Sequence, residues 1–217
     1  MATILGVAPS PYVRKVILAH EFKQMPYQLK TVFPGSDDSE FRAASPLGKV
    51  PGYITDDGFA FSDSSVIIAY LERTNNQNNL YPQSANDYAK ALWLEEYSDT
   101  KMTEVTAALY FQRVIGPLFF NHTIDETRCQ ELCDELIPPV LDYLESELQE
   151  DYFVGEQLSV ADVSIGGGLI NLFHADFQID DIRWPKLSQY QQQFMSLDIV
   201  QNCIATEKTM FNQAKSS

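Results

Sequence analysis

Cysteine is scarce in this chain of 217 residues, which has three: Cys129, Cys133 and Cys203. So few cysteines make neither a disulfide framework nor a paired metal motif, and a reducing, cytoplasmic setting is expected. Long apolar runs are absent too. No stretch approaches the roughly 18 apolar residues that favour a transmembrane helix, and residues 1–6 lack the basic leader of a secretory signal.

Positive charge is also in short supply. The chain has 15 Lys and Arg against 30 Asp and Glu, a net charge of −15. Residues 1–80 hold 7 basic and 8 acidic residues, whereas residues 81–217 hold 8 and 22. Binding to nucleic acid or to an anionic membrane needs clustered cations, so neither partner is expected. The nearly neutral first third is the better place for a small anionic ligand.

What is present is a 45% apolar composition, ample for a packed core. Alternation and turn residues predict a β-α-β unit followed by a β-β-α unit within residues 1–76, a thioredoxin-like domain with a mixed four-stranded sheet. An Asp-Gly pair at residues 57–58 predicts a hairpin turn. The predicted elements are strand 2–7, helix 12–24, strand 27–32, hairpin strands 53–55 and 59–61, and helix 64–73.

A polar, Asn-rich stretch follows, and residues 77–84 are predicted to be a linker. Residues 85–217 show helical periodicity and almost no strand pattern, which predicts an all-helical second domain. Ser159 and Asp162 form a capping-box pattern and are interpreted as structural. The predicted helices are 85–112, 124–149, 159–173, 187–195 and a shorter one near 198–212.

Two short segments point to a ligand. A Val50-Pro51 step before an extended segment suits a cis peptide, with the Val50 N–H and C=O left to pair with a peptide-like ligand. Asp63 and Ser64, at the start of helix 64–73, offer a carboxylate, a hydroxyl and free N–H groups to a ligand with both an α-amine and an α-carboxylate. Taken singly, each segment is equally an ordinary turn or helix cap. Taken together, they predict a glutathione site.

Several motifs in order resemble those of the soluble glutathione S-transferase family, and the likeness covers nearly the whole chain. Residues 10–16 are similar to the Ser-Pro-aromatic motif of serine-type bacterial and plant members. The other matching segments are Ser45-Pro46-Leu47-Gly48-Lys49-Val50-Pro51, Asp63-Ser64, Leu158-Ser159-Val160-Ala161-Asp162 and Trp184-Pro185-Lys186-Leu187.

The resemblance implies a role for each matching residue. Ser10 would be catalytic and donate its hydroxyl hydrogen to the sulfur of glutathione, the co-substrate. The Val50 backbone would hold the cysteinyl residue, Asp63 and Ser64 the γ-glutamyl end, and Lys49 would reach the tripeptide. The resemblance further implies no metal, a homodimer, and detoxification of small hydrophobic electrophiles.

Some positions depart from the family pattern or stay open. The acidic stretch 35–40 stands where a basic residue often holds the glycyl carboxylate, so Lys49 or Arg42 would have to serve. Tyr12 is a rival hydroxyl donor. The aromatic residues Tyr12, Tyr110 and Phe111 could line an electrophile pocket. Alternatively, Tyr110 and Phe111 could pack in the helical core.

Alternative functions also stay open. One is a non-catalytic adaptor resembling stringent-starvation regulators, which the acidic stretch favours; another is a ligandin that binds apolar molecules without turnover. A Cys-centred thiol transfer is not expected, because Ser10 stands where such members have cysteine. Cys129 and Cys133, four residues apart with His122 nearby, are either a metal-ligand pair or small apolar residues on a buried stripe.

Overall fold

A four-stranded sheet with the order β2-β1-β3-β4 organises the first part of the chain. The computed structural model describes residues 1–216, and its first compact unit is Met1–Leu80. β1 pairs in parallel with β2 and antiparallel with β3, and β3 pairs antiparallel with β4. The predicted mixed sheet is therefore confirmed. The strands are β1 (Ala2–Gly6), β2 (Tyr27–Thr31), β3 (Gly52–Ile54) and β4 (Ala60–Ser62).

The helices of this unit are α1 (Pro11–Phe22), α2 (Ser39–Ala44) and α3 (Ser64–Thr74). The sequence did not predict α2. Its six residues are too few to show a helical period, and only the Asp38 side chain, which accepts from the Phe41 N–H at 2.9 Å, marks its start. Short helices of this kind depend on caps and tertiary packing more than on their own propensity.

A buried histidine ties α1 to the sheet. His20 is fully buried; its Nδ1 lies 3.1 Å from the Met25 carbonyl oxygen and its Nε2 lies 3.2 Å from the Tyr53 hydroxyl. A carbonyl only accepts, so Nδ1 carries the hydrogen and Nε2 accepts from Tyr53. Burial lowers the pKa of His20, partly offset by the bond to Met25. Burial also raises the pKa of the Tyr53 hydroxyl.

The second unit begins at Tyr81, and within its described residues the regular elements are all helices. This confirms the predicted class, an α/β domain followed by an all-α domain. Its helices are α4 (Ala85–Tyr97), α5 (Thr103–Tyr110), α6 (Gly116–Phe120), α7 (Glu126–Glu131), α8 (Ile137–Glu147), α9 (Val160–His174), α10 (Pro185–Ser196) and α11 (Asp198–Lys215).

Three π-helical turns join some of these helices end to end, at Ser98–Met102, Phe111–Ile115 and Leu132–Leu136. The second and third each directly precede a helix with proline in its first turn. Proline lacks an N–H and clashes with the preceding helical turn, and a π turn relieves both constraints. The predicted helix 85–112 therefore runs on to Phe120 in segments, because Pro117 does not end it.

The segment after α3 is bound to the first unit. Lys23, fully buried, donates to Glu72 Oε2 at 2.8 Å and to the Gln77 carbonyl oxygen at 3.0 Å. Asn78 donates to the Phe22 carbonyl oxygen at 2.8 Å. Residues 77 and 78, at the start of the predicted linker, are thus fixed by hydrogen bonds. Within residues 1–216, no helix is long and apolar enough to cross a membrane.

Asp162 holds the start of α9 in place. Its Oδ2 accepts from the Ser159 N–H and hydroxyl, each at 2.8 Å, which completes the predicted capping box. Its Oδ1 accepts from the Phe153 N–H at 3.0 Å and the Tyr190 hydroxyl at 3.1 Å. The carboxyl is fully buried, and burial raises its pKa while the four donors oppose that shift. One side chain therefore connects α9, α10 and the preceding loop.

Asp162→Ala should lower the free energy of unfolding by about 2–4 kcal/mol, because it leaves four buried donors unpaired. Ser159→Ala removes only the hydroxyl and should cost about 1 kcal/mol. Urea unfolding followed by circular dichroism measures both. Equal, small losses would show that the capping box alone, without the bonds to Phe153 and Tyr190, accounts for the role of Asp162.

His20 should make the protein less stable in mild acid. Because its pKa in the folded state lies below the ordinary value of about 6.5, its stabilising contribution is present above that pH and is lost as the pH falls from there through the folded-state pKa. We expect a loss of about 1 kcal/mol between pH 7.5 and pH 5.5. His20→Gln should remove this part of the pH dependence of the melting temperature. His122→Gln, which changes a half-buried histidine, is the control and should retain it.

Candidate functional site

The pairing of β3 with β4 brings the two predicted ligand segments together. Gly52 lies opposite Ser62 in the antiparallel ladder, so the residues before Gly52 and those after Ser62 leave the sheet at the same end. Val50-Pro51 and Asp63-Ser64 therefore neighbour each other. The Val50–Pro51 peptide is cis, as the sequence predicted.

The end of β1 lies at the same place. Leu5 pairs with Gly52, and a side chain at the next residue, Gly6, would meet Val13 Cγ2 at 2.5 Å and Val50 Cβ at 3.4 Å. Only glycine lets α1 and the Val50 segment approach the strand this closely. The start of α1 is thereby held beside Val50.

Ser10 is the N-cap residue of α1. Its backbone is extended, with φ −70° and ψ 128°, and its carbonyl oxygen accepts from the Arg14 N–H at 2.8 Å. Its side chain is half-buried and makes no hydrogen bond to any residue in the range 1–216. The hydroxyl therefore stands at a helix N-terminus, where a negative charge is favoured, with its hydrogen available to a ligand.

Asp63 is the N-cap residue of α3 and has φ 85°, a backbone conformation that non-glycine residues rarely adopt. Its Oδ1 accepts from the Ser65 N–H at 3.0 Å and the Val66 N–H at 3.2 Å. A residue held in this region costs of order 1–3 kcal/mol, and such residues cluster at functional sites. The side chain is exposed, so its second oxygen remains open to a ligand.

Ser64 follows at the first position of α3 and is 3% exposed. The Asp63 carboxylate accepts from the N–H groups of Ser65 and Val66, which follow Ser64. Among the described residues, neither the N–H nor the hydroxyl of Ser64 has a hydrogen-bond partner. Ser64 is thus an unfilled pair of donors at a helix N-terminus.

Val50 also keeps open backbone groups. Residue 50 lies outside the ladders, and within residues 1–216 neither its N–H nor its C=O forms a hydrogen bond. Lys49 next to it has an exposed side chain with no ion pair in the described chain, while its carbonyl oxygen accepts from the Ser45 hydroxyl at 2.6 Å. An extended peptide could pair with Val50 as a strand would.

Two charged side chains of α1 lie in places that the sequence did not reveal. Arg14 and Lys15 are 0% and 2% exposed, so neither is a solvated surface residue. Lys15 Nζ donates to Ser65 Oγ at 3.0 Å and thereby joins α1 to the first turn of α3. Sequence reasoning missed Ser65 as a member of this region.

The acidic stretch 35–40 is largely neutralised within its own unit. Lys30 lies 3.0 Å from Asp38 Oδ2 and 2.7 Å from Glu40 Oε2. The bond from the Phe41 N–H and then that from Lys30 lower the pKa of Asp38. Arg42 donates to the Ser36 and Gly35 carbonyl oxygens at 2.7 and 2.9 Å, and so holds this loop together.

Comparison with known proteins identifies the family in which this arrangement occurs. Residues 5–79 match the family model of the glutathione S-transferase N-terminal domain, and residues 111–207 match that of the C-terminal domain. The chain belongs to the glutathione S-transferase family. This agrees with the fold and the motif order that the sequence predicted.

The relatives of this chain carry different names. The chain is 24% identical over 208 residues to glutathione S-transferase U6 of Arabidopsis thaliana, covering 93% of this chain and 87% of the relative. It is 27% identical over 164 residues to elongation factor 1-gamma of Schizosaccharomyces pombe, covering 75% and 39%. A crystal structure of a glutathione S-transferase from Rhodospirillum rubrum F11 superposes with a TM-score of 0.84 at 19% identity, covering 94% and 91%.

The predicted aromatic pocket residues fall into different surroundings in this family member. Tyr110 is 2% exposed, and its ring stacks on that of His174 with centroids 5.8 Å apart. Phe111 is exposed and lies beside Phe120, 6.0 Å between centroids, and beside His122, 5.3 Å. Tyr12 is half-buried in the first turn of α1. Tyr110 thus faces a core, while Phe111 belongs to an exposed aromatic group.

The cysteines have surroundings of their own. Cys129 is buried, and Cys133 is half-buried with Arg113 Nη2 3.6 Å from its sulfur. Burial raises the pKa of the Cys133 thiol. The His122 ring pairs instead with Gln112 Oε1 at 2.9 Å. Among the described residues, no three His, Cys, Asp or Glu side chains are grouped to hold a metal ion.

Substitutions at Asp63 should separate two contributions to the free energy of unfolding, that of its side-chain cap and that of its strained backbone. Asp63→Ala loses the cap and keeps the positive φ, and should cost about 1–2 kcal/mol of unfolding free energy. Asp63→Gly also loses the cap but fits this φ, so it should cost only a few tenths of a kcal/mol. Asp63→Asn should be nearly neutral. Chemical unfolding measures all three; equal losses for Ala and Gly would contradict the strain.

Proposed function

We propose that the protein is a glutathione transferase that adds the thiolate of glutathione to small hydrophobic electrophiles, with Ser10 activating the thiol. One observation carries the proposal: three sets of open hydrogen-bonding groups lie where β1 ends and β3 begins. They are the Ser10 hydroxyl, the Val50 backbone, and the start of α3 with Asp63 and Ser64. This is the order of groups that an extended γ-glutamyl-cysteinyl-glycine needs.

The Val50 backbone would pair with the cysteinyl residue of glutathione. Its N–H and C=O would accept the ligand as one more strand beside β3 and set its direction. With the cysteinyl residue so fixed, the γ-glutamyl end would extend to α3 and the thiol would point to the start of α1. In this arrangement the family motif at residues 45–51 acts as a backbone clamp.

Two neighbouring residues would bind the γ-glutamyl end. Asp63 would bind its positive group and Ser64 its negative group. The unused oxygen of Asp63 would accept from the α-ammonium group. The N–H and hydroxyl of Ser64 would donate to the α-carboxylate at the N-terminus of α3, where no acidic residue stands in the first turn. Both donors of Ser64, its N–H and its hydroxyl, would then have a hydrogen-bond partner.

Ser10 would act on the sulfur through one hydrogen bond. A thiol with a pKa of about 8.5 is only about 3% ionised at pH 7. A hydrogen bond to a charged acceptor contributes about 1.5–3 kcal/mol, equivalent to about one to two pKa units, and the α1 N-terminus adds about 0.3–1 kcal/mol. Bound glutathione would then be largely thiolate near neutral pH, and the sulfur would form a bond to the electrophilic carbon.

Lys49 is the better of the two candidates for the glycyl carboxylate. Its ammonium is exposed and not engaged, whereas the Arg42 guanidinium is bonded to Ser36 and Gly35. An exposed lysine supplies charge without fixed geometry, so this end of the tripeptide would be held more loosely than the γ-glutamyl end.

The electrophile and the assembly are proposed on less specific grounds. Within the second unit, the exposed Phe111 is a better candidate for contact with an apolar molecule than the buried Tyr110. Family membership supports the proposals of a homodimer and a cytoplasmic location. The adaptor remains the second candidate because one relative is named elongation factor 1-gamma. The acidic stretch no longer favours it, since Lys30 and Arg42 offset these charges.

Ser10→Ala should raise the pKa of bound glutathione by about 1–2 units and lower conjugation at neutral pH about ten- to a hundredfold. The affinity for glutathione should change little, because the clamp is intact. The ultraviolet absorbance of the thiolate against pH gives the pKa, and calorimetric titration at pH 6 and pH 8 gives binding and proton release. Ser39→Ala, an exposed serine of α2, is the control.

The same titrations separate the alternatives. An unchanged thiol pKa in Ser10→Ala with a raised one in Tyr12→Phe would assign the donor to Tyr12. No binding of millimolar glutathione by the unaltered protein would contradict the proposal and favour the adaptor. Binding of apolar dyes without conjugation of any electrophile would favour a ligandin.

A further inference from the structure

Lys15 lies between the two helices that build the proposed site. It is 2% exposed, in the second turn of α1, and its Nζ donates to Ser65 Oγ in the first turn of α3 at 3.0 Å. Ser65 is also joined to Asp63, whose Oδ1 accepts from its N–H at 3.0 Å. A buried ammonium is thus fixed one hydrogen bond away from the turn that contains Ser64.

The direction of this bond matters for a ligand. Because Ser65 Oγ accepts from an ammonium, its own hydrogen points away from Lys15. A hydroxyl polarised by a charged donor is itself a stronger donor. The bond therefore fixes the orientation of the first turn of α3 relative to α1.

Lys15 also adds charge where charge acts strongly. α1 has no acidic residue in its first turn, whereas the Asp63 carboxylate at the start of α3 caps the N–H groups of Ser65 and Val66 and leaves that of Ser64 open. Ser64 there is nine-tenths buried, and its hydroxyl has no partner among the described residues. A cation in surroundings of this low polarity attracts a carboxylate more strongly than an exposed one does.

We propose that Lys15 is a positioning and charge-supplying residue for the α-carboxylate of the γ-glutamyl group, acting through Ser65 on the first turn of α3. This inference rests on the proposed glutathione site and goes beyond it, since it makes recognition of this carboxylate depend on a residue of α1. Lys15 does not act on the α-ammonium group, because like charges repel and Asp63 is available to that group. It does not act on the thiol, because Ser10 does.

The test uses three ligands and the Lys15→Met variant. The ligands are glutathione, glutaryl-cysteinylglycine, which lacks the amine and keeps the carboxylate, and 4-aminobutyryl-cysteinylglycine, which keeps the amine and lacks the carboxylate. We expect Lys15→Met to weaken calorimetric binding of the first two about tenfold and to leave the third within twofold, with the thiol pKa of bound glutathione unchanged. Equal losses for all three ligands would overturn the proposal.

Two further variants keep the test sharp. Ser65→Ala removes the acceptor and retains the ammonium. It should weaken the same two ligands, and combining it with Lys15→Met should add little, since the two residues act as a unit. Lys101→Met removes one exposed lysine charge and should change no affinity. If Lys15→Met does not fold, Ser65→Ala alone decides: no carboxylate-specific loss overturns the inference.

The outcomes for this inference and for the proposed function are distinct. If the unaltered protein does not bind glutathione, the proposed function fails and the inference fails with it. If the unaltered protein binds glutathione and the Lys15→Met variant binds all three ligands as well as the unaltered protein does, only the inference fails.

Discussion

The register of the central ladder is the constraint on which the rest of the site depends. Gly52 pairs with Leu5 on one side and with Ser62 on the other, so the ends of β1, β3 and β4 are fixed relative to each other. A shift of one residue would turn every side chain to the opposite face and would separate Val50 from Asp63. The buried bond from the Tyr53 hydroxyl to His20 anchors α1 against the same strand, β3.

Several open polar groups lie close together at the end of this ladder. Ser64 is buried without a partner in the described chain, and Asp63 holds a backbone conformation that costs free energy. The buried Asp162 carboxyl, in contrast, accepts from four donors. A folded chain tolerates unsatisfied groups and strain mainly where a ligand compensates for them. The open groups and the strain around the ladder support the proposed site.

Local patterns were sufficient for much of the fold. The Asp-Gly turn, the Val50-Pro51 step and the capping box at Ser159 act over a few residues, so their chemistry is visible in sequence. Two local features were harder. Helix α2 is too short to show a period, and Pro117 would end an ordinary helix, whereas the π turn before it lets the helix continue to Phe120. Such turns have no characteristic residue composition by which a sequence pattern could detect them.

The sequence by itself determined the elements, their order and the types of residue at the site, because hydrophobic period, caps and turns are short-range effects. Only the tertiary structure decided which charges are buried. Lys15 and Lys49 are indistinguishable as letters, yet one is enclosed between two helices and the other is exposed. The pairing of Lys15 with Ser65, fifty positions apart, arises from the packing of α1 on α3. Long-range contacts of this kind depend on the whole fold, and no local pattern encodes them.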